Sequence, residues 1–332
     1  MKKRRSFLRL TAMMLFSVSM LLTLSVSVGA IGGREERGLL SPSTARRSAT
    51  LGDDSVAYST DSEARARVNT YSLKTVSERN VNAYKAVPVS LNGRSIGNVG
   101  RLINGEVYVP IRRFVEAFVS GAVVSYDSKS RTVTVSGAGH NISVSDGAYA
   151  LYASGRVFFG ATPSRVLSDG RMYVPVSNIS RAFSLSYSTS VAERASLWGT
   201  PRAVTSGGVF YDADLVYWLS RIISAESKGE PLIGQIAVGN VVLNRVRSKD
   251  FPNTVWGVIF DRKWGVQFSP VSNGTIYDEP SATSVLAAKI CLDGFTVSPD
   301  ALYFLRPSAS TSSWIVNNRT FLFVIGNHYF FA

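Results

Sequence analysis

Hydrophobic positions change their spacing from region to region along this 332-residue chain. Leu10 to Val28 is a nearly unbroken apolar run behind a basic head of Lys2, Lys3, Arg4, Arg5 and Arg9, and it ends in the small residues Val28-Gly29-Ala30. That pattern predicts a signal peptide over 1–30, and the run is also long enough to serve as an uncleaved anchor. From 31 to 86 Ser, Thr, Arg, Glu and Asp dominate with no sustained period, which predicts a flexible tether. From 87 to 190 apolar residues alternate in short runs such as Glu106-Val-Tyr-Val-Pro110 and Arg131-Thr-Val-Thr-Val135, bounded by Asn-Gly, Asp-Gly and Ser-Gly turns. Residues 191–210, with Gly199, Pro201 and Gly207-Gly208, read as a linker. From 211 to 332 the period lengthens to that of helices. Leu215, Leu219, Ile222 and Glu226 share one face.

The alternating region contains a repeat. Asn104-Gly-Glu-Val-Tyr-Val-Pro-Ile-Arg-Arg-Phe-Val-Glu-Ala-Phe118 aligns with Asp169-Gly-Arg-Met-Tyr-Val-Pro-Val-Ser-Asn-Ile-Ser-Arg-Ala-Phe183. Each copy predicts a turn, a strand ending in Pro and a short helix. A second hairpin is predicted over Val123–Val135. In the C-terminal region Pro231 suits the first turn of a new helix carrying Ile233, Ile236, Ala237, Val241 and Leu243. A short amphipathic piece over Thr254–Phe260, a helix near Ser281–Leu292 and aromatic strands around Leu302–Phe304 and Phe321–Ile325 follow. The predicted class is α+β, a small repeated α+β accessory domain ahead of a mainly helical domain with a small β element.

Charge and cysteine content narrow the function. The net charge of +13 suits solubility and polyanionic surroundings, which for an exported chain means wall polymer or anionic lipid. No zinc knuckle, recognition helix or basic-aromatic motif points to nucleic acid. Cys291 is the only cysteine, so no intrachain disulfide forms, and His140 and His328 fall in different domains, against a histidine-rich zinc site. Neither metal nor cofactor is expected.

Glu226 places a carboxylate on an apolar stripe that Val216, Trp218 and Ile223 widen. Two readings follow. The plain one is a partly exposed Glu in the last turn before Gly229 and Pro231. The other is a carboxyl whose burial raises its pKa until it holds a proton near neutrality, as glycosidic cleavage requires of its proton donor.

Ala225-Glu-Ser-Lys-Gly-Glu-Pro231, with Gly234-Gln-Ile-Ala-Val238 and Val242-Leu-Asn-Arg-Val246, resembles the spore-cortex-lytic (SleB-type) cell wall hydrolase family. Phe251-Pro-Asn-Thr-Val255, Gln267-Phe268, Ala301-Leu-Tyr-Phe304 and Ile325-Gly-Asn-His-Tyr-Phe330 continue the resemblance in order over about 212–332. It implies a lysozyme-like catalytic domain with Glu226 as catalytic acid/base, cutting peptidoglycan between N-acetylmuramic acid and N-acetylglucosamine. Arg306 stands where the family pattern has Asn before Pro307. Among residues of lesser weight, Gln235 is a possible donor or acceptor to an acetamido group, or an exposed helix Gln. Phe268 and Tyr303 are either sugar-stacking walls or core, and His328 either orients Glu226 or closes the core. Glu230 reads as a turn or helix N-terminal carboxylate. A single free Glu fits lytic transglycosylation, and hydrolysis stays open.

The repeat over 87–190 resembles the copper amine oxidase N-terminal-like (stalk) domain. With one histidine and no cysteine it lacks a copper ligand set, and the resemblance implies an accessory unit in contact with wall polymer. Its Tyr108, Tyr173 and Phe158-Phe159 read as core or as sugar-stacking rings. Two competing functions remain at this stage. A cysteine peptidase would pair Cys291 with His328, but the thiol falls near the end of an apolar helix and reads as core. A non-catalytic wall-binding or spore structural protein would keep the fold without turnover.

Overall fold

The computed structural model describes residues 71–189, 194–263, 265–307 and 314–332. The apolar leader, the first part of the tether and Trp264 lie outside the described residues.

The accessory domain begins with β1 (Lys85–Val87), β2 (Val89–Leu91), β3 (Arg94–Ser95), β4 (Gly100–Ile103) and β5 (Glu106–Pro110), then α1 (Ile111–Phe118). It continues through β6 (Val123–Asp127), β7 (Thr132–Gly137), β8 (His140–Ser145), β9 (Ala150–Ala153), β10 (Arg156–Phe159), β11 (Arg165–Val166) and β12 (Met172–Pro175) to α2 (Val176–Ala182), β13 (Ser186–Thr189) and β14 (Ala195–Trp198). The repeat explains the architecture. Its strands β5 and β12 pair antiparallel with Tyr173 opposite Pro110 and Pro175 opposite Tyr108, so the two copies face each other across a local twofold. Each strand stops at the Pro because it cannot donate to the ladder, and that Pro stands at the N-cap position of the helix that follows without a side-chain capping bond. Ile111 and Phe114 of one helix, and Val176 and Ile179 of the other, drop into one core together with Val109 and Val174. A five-stranded meander, β6 to β10 in sequence order, closes that core on its other side.

The structure moves both boundaries of the accessory domain. Ala195 and Leu197 of β14 are fully buried, and β14 runs parallel to β2, so residues read as the start of a linker complete a sheet. The helix α3 (Gly207–Phe210) is held to the β9–β10 turn by Gly207 N–H donating to Ser154 O at 2.8 Å. At the other end, Tyr71 N–H donates to Val324 O at 3.2 Å, and Val76 and Val81 are buried. The tether as read therefore ends before Tyr71. Alternation over three or four residues, flanked by Ser and Thr, is too short to announce such strands.

The C-terminal domain packs α4 (Ala213–Ser227), α5 (Leu232–Arg247), α6 (Val255–Ile259), α7 (Ser269–Asn273), α8 (Ala282–Leu292) and α9 (Trp314–Asn318) with a small sheet of β15 (Tyr303–Leu305), β16 (Phe321–Ile325) and β17 (His328–Phe331). This is the mainly helical domain with a β element that the apolar periodicity predicts. Asp212 caps α4 by accepting from Leu215 N–H at 3.0 Å, and Ser281 caps α8 through Ser284 N–H at 3.1 Å. Leu219 and Ile222 of α4 are fully buried. Each contributes about 1.5–3 kcal/mol by leaving water. Gly239 lets α5 approach its neighbours: a Cβ there would lie 2.8 Å from both Cys291 Sγ and Ile223 Cδ1.

The two domains meet at a buried acid. Asp293, at the C-terminus of α8, accepts from Arg156 Nε at 2.8 Å and Nη2 at 2.6 Å, from Val157 N–H at 3.1 Å and from the Tyr211 hydroxyl. Arg156 lies over the Phe210 ring at 3.4 Å, and Phe159 meets Phe295 edge to face at 4.9 Å. Val157 and Phe159 of the accessory domain thus belong to the core of the C-terminal domain.

Candidate active site

Glu226 sits in the last turn of α4, partly buried, between the buried Ser224 and Ser227. Burial lifts its carboxyl from the ordinary 4.5 to about 7, and among the described residues no charge or hydrogen bond contributes to the shift. That is the state expected of a proton donor working near neutrality.

The turn after it is tied down from two sides. On one side Ser281 N–H donates to Ser224 Oγ at 3.1 Å, and the Ser281 and Ser284 hydroxyls share a bond at 2.8 Å. Ser284 Oγ then donates to Gln235 Oε1 at 2.8 Å, and Gln235 Nε2 donates to Glu230 O at 3.0 Å. Gln235 is therefore neither an exposed helix residue nor free for an acetamido group: it is 1% exposed and its amide is engaged at both ends. On the other side the Glu230 carboxylate accepts from Asn327 N–H at 3.0 Å and from Asn327 Nδ2 at 2.9 Å. His328 Nδ1 lies 3.7 Å from Glu230 Oε1, so this imidazole faces Glu230. Burial holds the His328 pKa below its ordinary value against the opposing pull of Glu230, and Arg306 lowers it further.

Phe268 and Tyr303 converge on Arg245 instead of lining an open wall. The guanidinium carbon of Arg245 lies 4.9 Å from the Phe251 ring centre, 5.2 Å from Phe268 and 5.3 Å from Tyr303, while Nε donates to Leu302 O at 2.7 Å. Phe268 is 3% exposed and serves as core, whereas Tyr303 keeps a partly exposed edge against Arg319 and Trp314. Burial draws the Arg245 pKa down to about 10. Asn244 braces the loop after α8: Nδ2 donates to Ser298 O and Ala301 O. Cys291 is buried, its thiol pushed up by burial and donating to Ile236 O at 3.4 Å, which leaves no reactive thiolate. Among the described residues no group of three or more His, Cys, Asp or Glu side chains converges as a metal site. In the accessory domain Tyr108, Tyr173, Phe158 and Phe159 are all buried, which closes the sugar-stacking alternative for them.

Sequence reasoning missed the serine bridge and the Asn327 clamp. The Ser-x-x-Ser at 281–284 and the two-residue Gly326-Asn327 turn were the available signals, but each names a local cap or turn and not its distant partner.

Comparison with known proteins gives the site its context. Residues 229–331 match the family profile described as Cell Wall Hydrolase, and 90–195 match the Copper amine oxidase N-terminal domain. The hydrolase match begins just after Glu226. A spore cortex-lytic enzyme of Bacillus cereus is 39% identical over 120 residues, covering 36% of this chain and 45% of that protein. The spore cortex-lytic enzyme of Bacillus subtilis (strain 168) is 39% identical over 112 residues, covering 34% and 35%. This chain thus spans less than half the length of these relatives. The solved catalytic domain of the germination-specific lytic transglycosylase SleB from Bacillus anthracis is 38% identical, covers 39% of this chain and all of that one, and superposes with a TM-score of 0.34. Residues 229–331 carry a cell wall hydrolase domain of the SleB kind, set behind a copper amine oxidase N-terminal-like domain at 90–195.

Proposed function

We propose that this chain is an exported enzyme that degrades peptidoglycan, cleaving the glycan strand between N-acetylmuramic acid and N-acetylglucosamine as a lytic transglycosylase of spore cortex or wall. Glu226 is its general acid and then its general base. The observation that carries this reading is a carboxyl raised to about 7 by burial alone. At neutral pH about half of such groups hold a proton, against roughly one in 300 at the ordinary value. Similarity to spore cortex-lytic enzymes supports the substrate and the spore envelope or wall as the place of action.

In the first step Glu226 gives its proton to the bridging oxygen as the bond from that oxygen to the muramic acid C1 breaks, its electron pair leaving with the oxygen. In the second, the Glu226 carboxylate takes the proton of the muramic acid 6-hydroxyl while that oxygen bonds to C1. The product carries a 1,6-anhydro end and the enzyme regains its proton. No second free carboxylate is needed, and this suits a site where Glu230 has its oxygens engaged by Asn327. In hydrolysis water would replace the 6-hydroxyl and need a base of its own or the same Glu.

The test is mass spectrometry of fragments released from vegetative and cortex peptidoglycan by the full chain and by Glu226→Gln. Anhydro-ended muropeptides from the intact chain alone are expected. Reducing ends would make it a hydrolase, and no fragments from either substrate would favour a wall-binding or structural protein.

A further inference from the structure

Resting on the reading of Glu226 as acid and base, we infer that Glu230, bonded to the Gly326–Asn327–His328 turn, is a positioning residue that fixes the helical turn carrying Glu226 and does not itself react.

Of the three residues between the two acids, Ser227 is buried while Lys228 and Gly229 are exposed, and a Cβ added at Gly229 would meet nothing within 4 Å. Lys228 and Gly229 are thus not held by burial, and a helix C-terminus with unpaired carbonyls frays unless something holds it. The holding points lie on either side. Upstream, Ser227 Oγ donates to Ile223 O at 2.7 Å, and Ser224 is bonded to the start of α8. Downstream, Glu230 N–H donates to Ser227 O at 2.9 Å, and its carbonyl accepts from Gln235. The Glu230 side chain then links this turn to the β16–β17 hairpin.

The hairpin is shaped for that carboxylate. Ile325 pairs with His328 across a two-residue turn, with Gly326 at a φ of +57°. A Cβ at Gly326 would overlap Glu230 Oε2, so glycine is required by both conformation and space. Asn327 offers one backbone and one side-chain donor, one for each oxygen of the acid. A carboxylate is buried at low cost only when bonded in this way. The same bonds withdraw Glu230 from chemistry, since an oxygen occupied by a fixed donor is a poor nucleophile or base. A displacement of about 1 Å at a reacting group can cost about 10²-fold in rate, which is why holding this turn matters.

The test uses the full chain, Glu230→Gln and the reciprocal swap Glu230→Gln/Asn327→Asp. In the swap, Gln Oε1 still accepts from the residue 327 N–H, and Gln Nε2 donates to the new Asp carboxylate, so both bonds return without an acid at 230. Amide hydrogen exchange over 224–230 is expected to accelerate at least tenfold in Glu230→Gln and to recover in the swap. On peptidoglycan, kcat of Glu230→Gln is expected to fall tenfold or more, with KM and the alkaline limb of the pH profile unchanged, and to recover to within about threefold in the swap. An intact exchange pattern in Glu230→Gln, or full kcat with only a lowered melting temperature, overturns the inference. So does a folded swap with restored exchange but no turnover, because Glu230 would then be reacting directly. If the wild type itself releases no fragments, the proposed activity fails, and the exchange measurement still decides whether the clamp exists.

Discussion

Asp293 and Glu226 are both withdrawn from water, and they are treated in opposite ways. Asp293, at the seam between the domains, is 5% exposed and receives donors from Arg156, Val157 and Tyr211. Glu226, in the last turn of α4, receives none that shifts its titration, and burial alone carries it to about 7. Desolvation disfavours both charges. At the seam the carboxylate is bonded to fixed donors, and the acid becomes a fastener. At Glu226 the penalty is left standing, and the acid holds its proton up to about pH 7. A carboxyl whose pKa is raised by desolvation is the kind of group from which a proton donor is made, and this supports the role proposed for Glu226.

The comparison breaks most sharply if Glu226 is made unable to ionise. Glu226→Gln is expected to lower glycan cleavage by about 10²–10⁴-fold, the usual contribution of a general acid-base group, without loss of fold. Fragment release followed at matched protein concentration checks it. A variant retaining full activity would place the proton donor elsewhere. At the seam the corresponding change strands a charge. Arg156→Met removes the cation bonded to the buried Asp293 carboxylate, leaving Arg181 Nη2 on its carbonyl, and is expected to cost about 3 kcal/mol, read from urea midpoints. Adding Asp293→Asn should return part of that loss, because the orphaned charge is then gone. If the two changes simply summed, Arg156 would act through its stacking on Phe210 and not through the acid.

A third difference lies in pH. Below 4.5 the Glu226 carboxyl is protonated in folded and unfolded chains alike, and its burial is free of charge-related cost. Between 4.5 and about 7 the unfolded chain ionises first, so native stability falls as pH rises, levelling off above about 7. The full penalty is on the order of 3 kcal/mol. Glu226→Gln has no such penalty. Relative to the wild type it should gain stability at pH 8 and gain none at pH 4, as measured by thermal melts across that range. Equal melting curves at both pH values would mean the carboxyl is solvated.

How far these features could be read from the chain depends on the range of the interaction. Leu215, Leu219, Ile222 and Glu226 align because a helix repeats every 3.6 residues, so the acid on an apolar face was legible from spacing alone. The repeat over 104–118 and 169–183 gave the strand-Pro-helix units for the same local reason. The clamp on Glu230 was not legible, because Asn327 meets it across almost the whole domain and nothing in either motif specifies the other. Nor was the seam, where Arg156 and Asp293 belong to different domains. Gln235 was misjudged in a related way. A polar side chain on a helix is exposed by default, and only the placement of Ser284 and the Glu230 carbonyl shows why this one is inside. Short strands such as β14 escaped because three or four alternating residues carry too little periodicity to stand out from a Ser-rich flank.

The smallest expected effect concerns a further buried ionisable group of the hydrolase domain. Cys291 is 2% exposed, its thiol donates to Ile236 O, and Asn240 Nδ2 lies 3.5 Å from its sulfur. Burial pushes its pKa upward, the direction opposite to that of a nucleophilic thiol. Cys291→Ser keeps a donor for the Ile236 carbonyl but buries a more polar hydroxyl against Ile223 and Gly239. The expected cost is about 1 kcal/mol of stability, with kcat unchanged. Loss of fragment release in a folded Cys291→Ser variant would assign the chemistry to sulfur, and the contrast between a paired and an unpaired acid would then describe packing alone. Retained turnover beside an inactive Glu226→Gln leaves the carboxyl as the group whose protonation state the reaction uses.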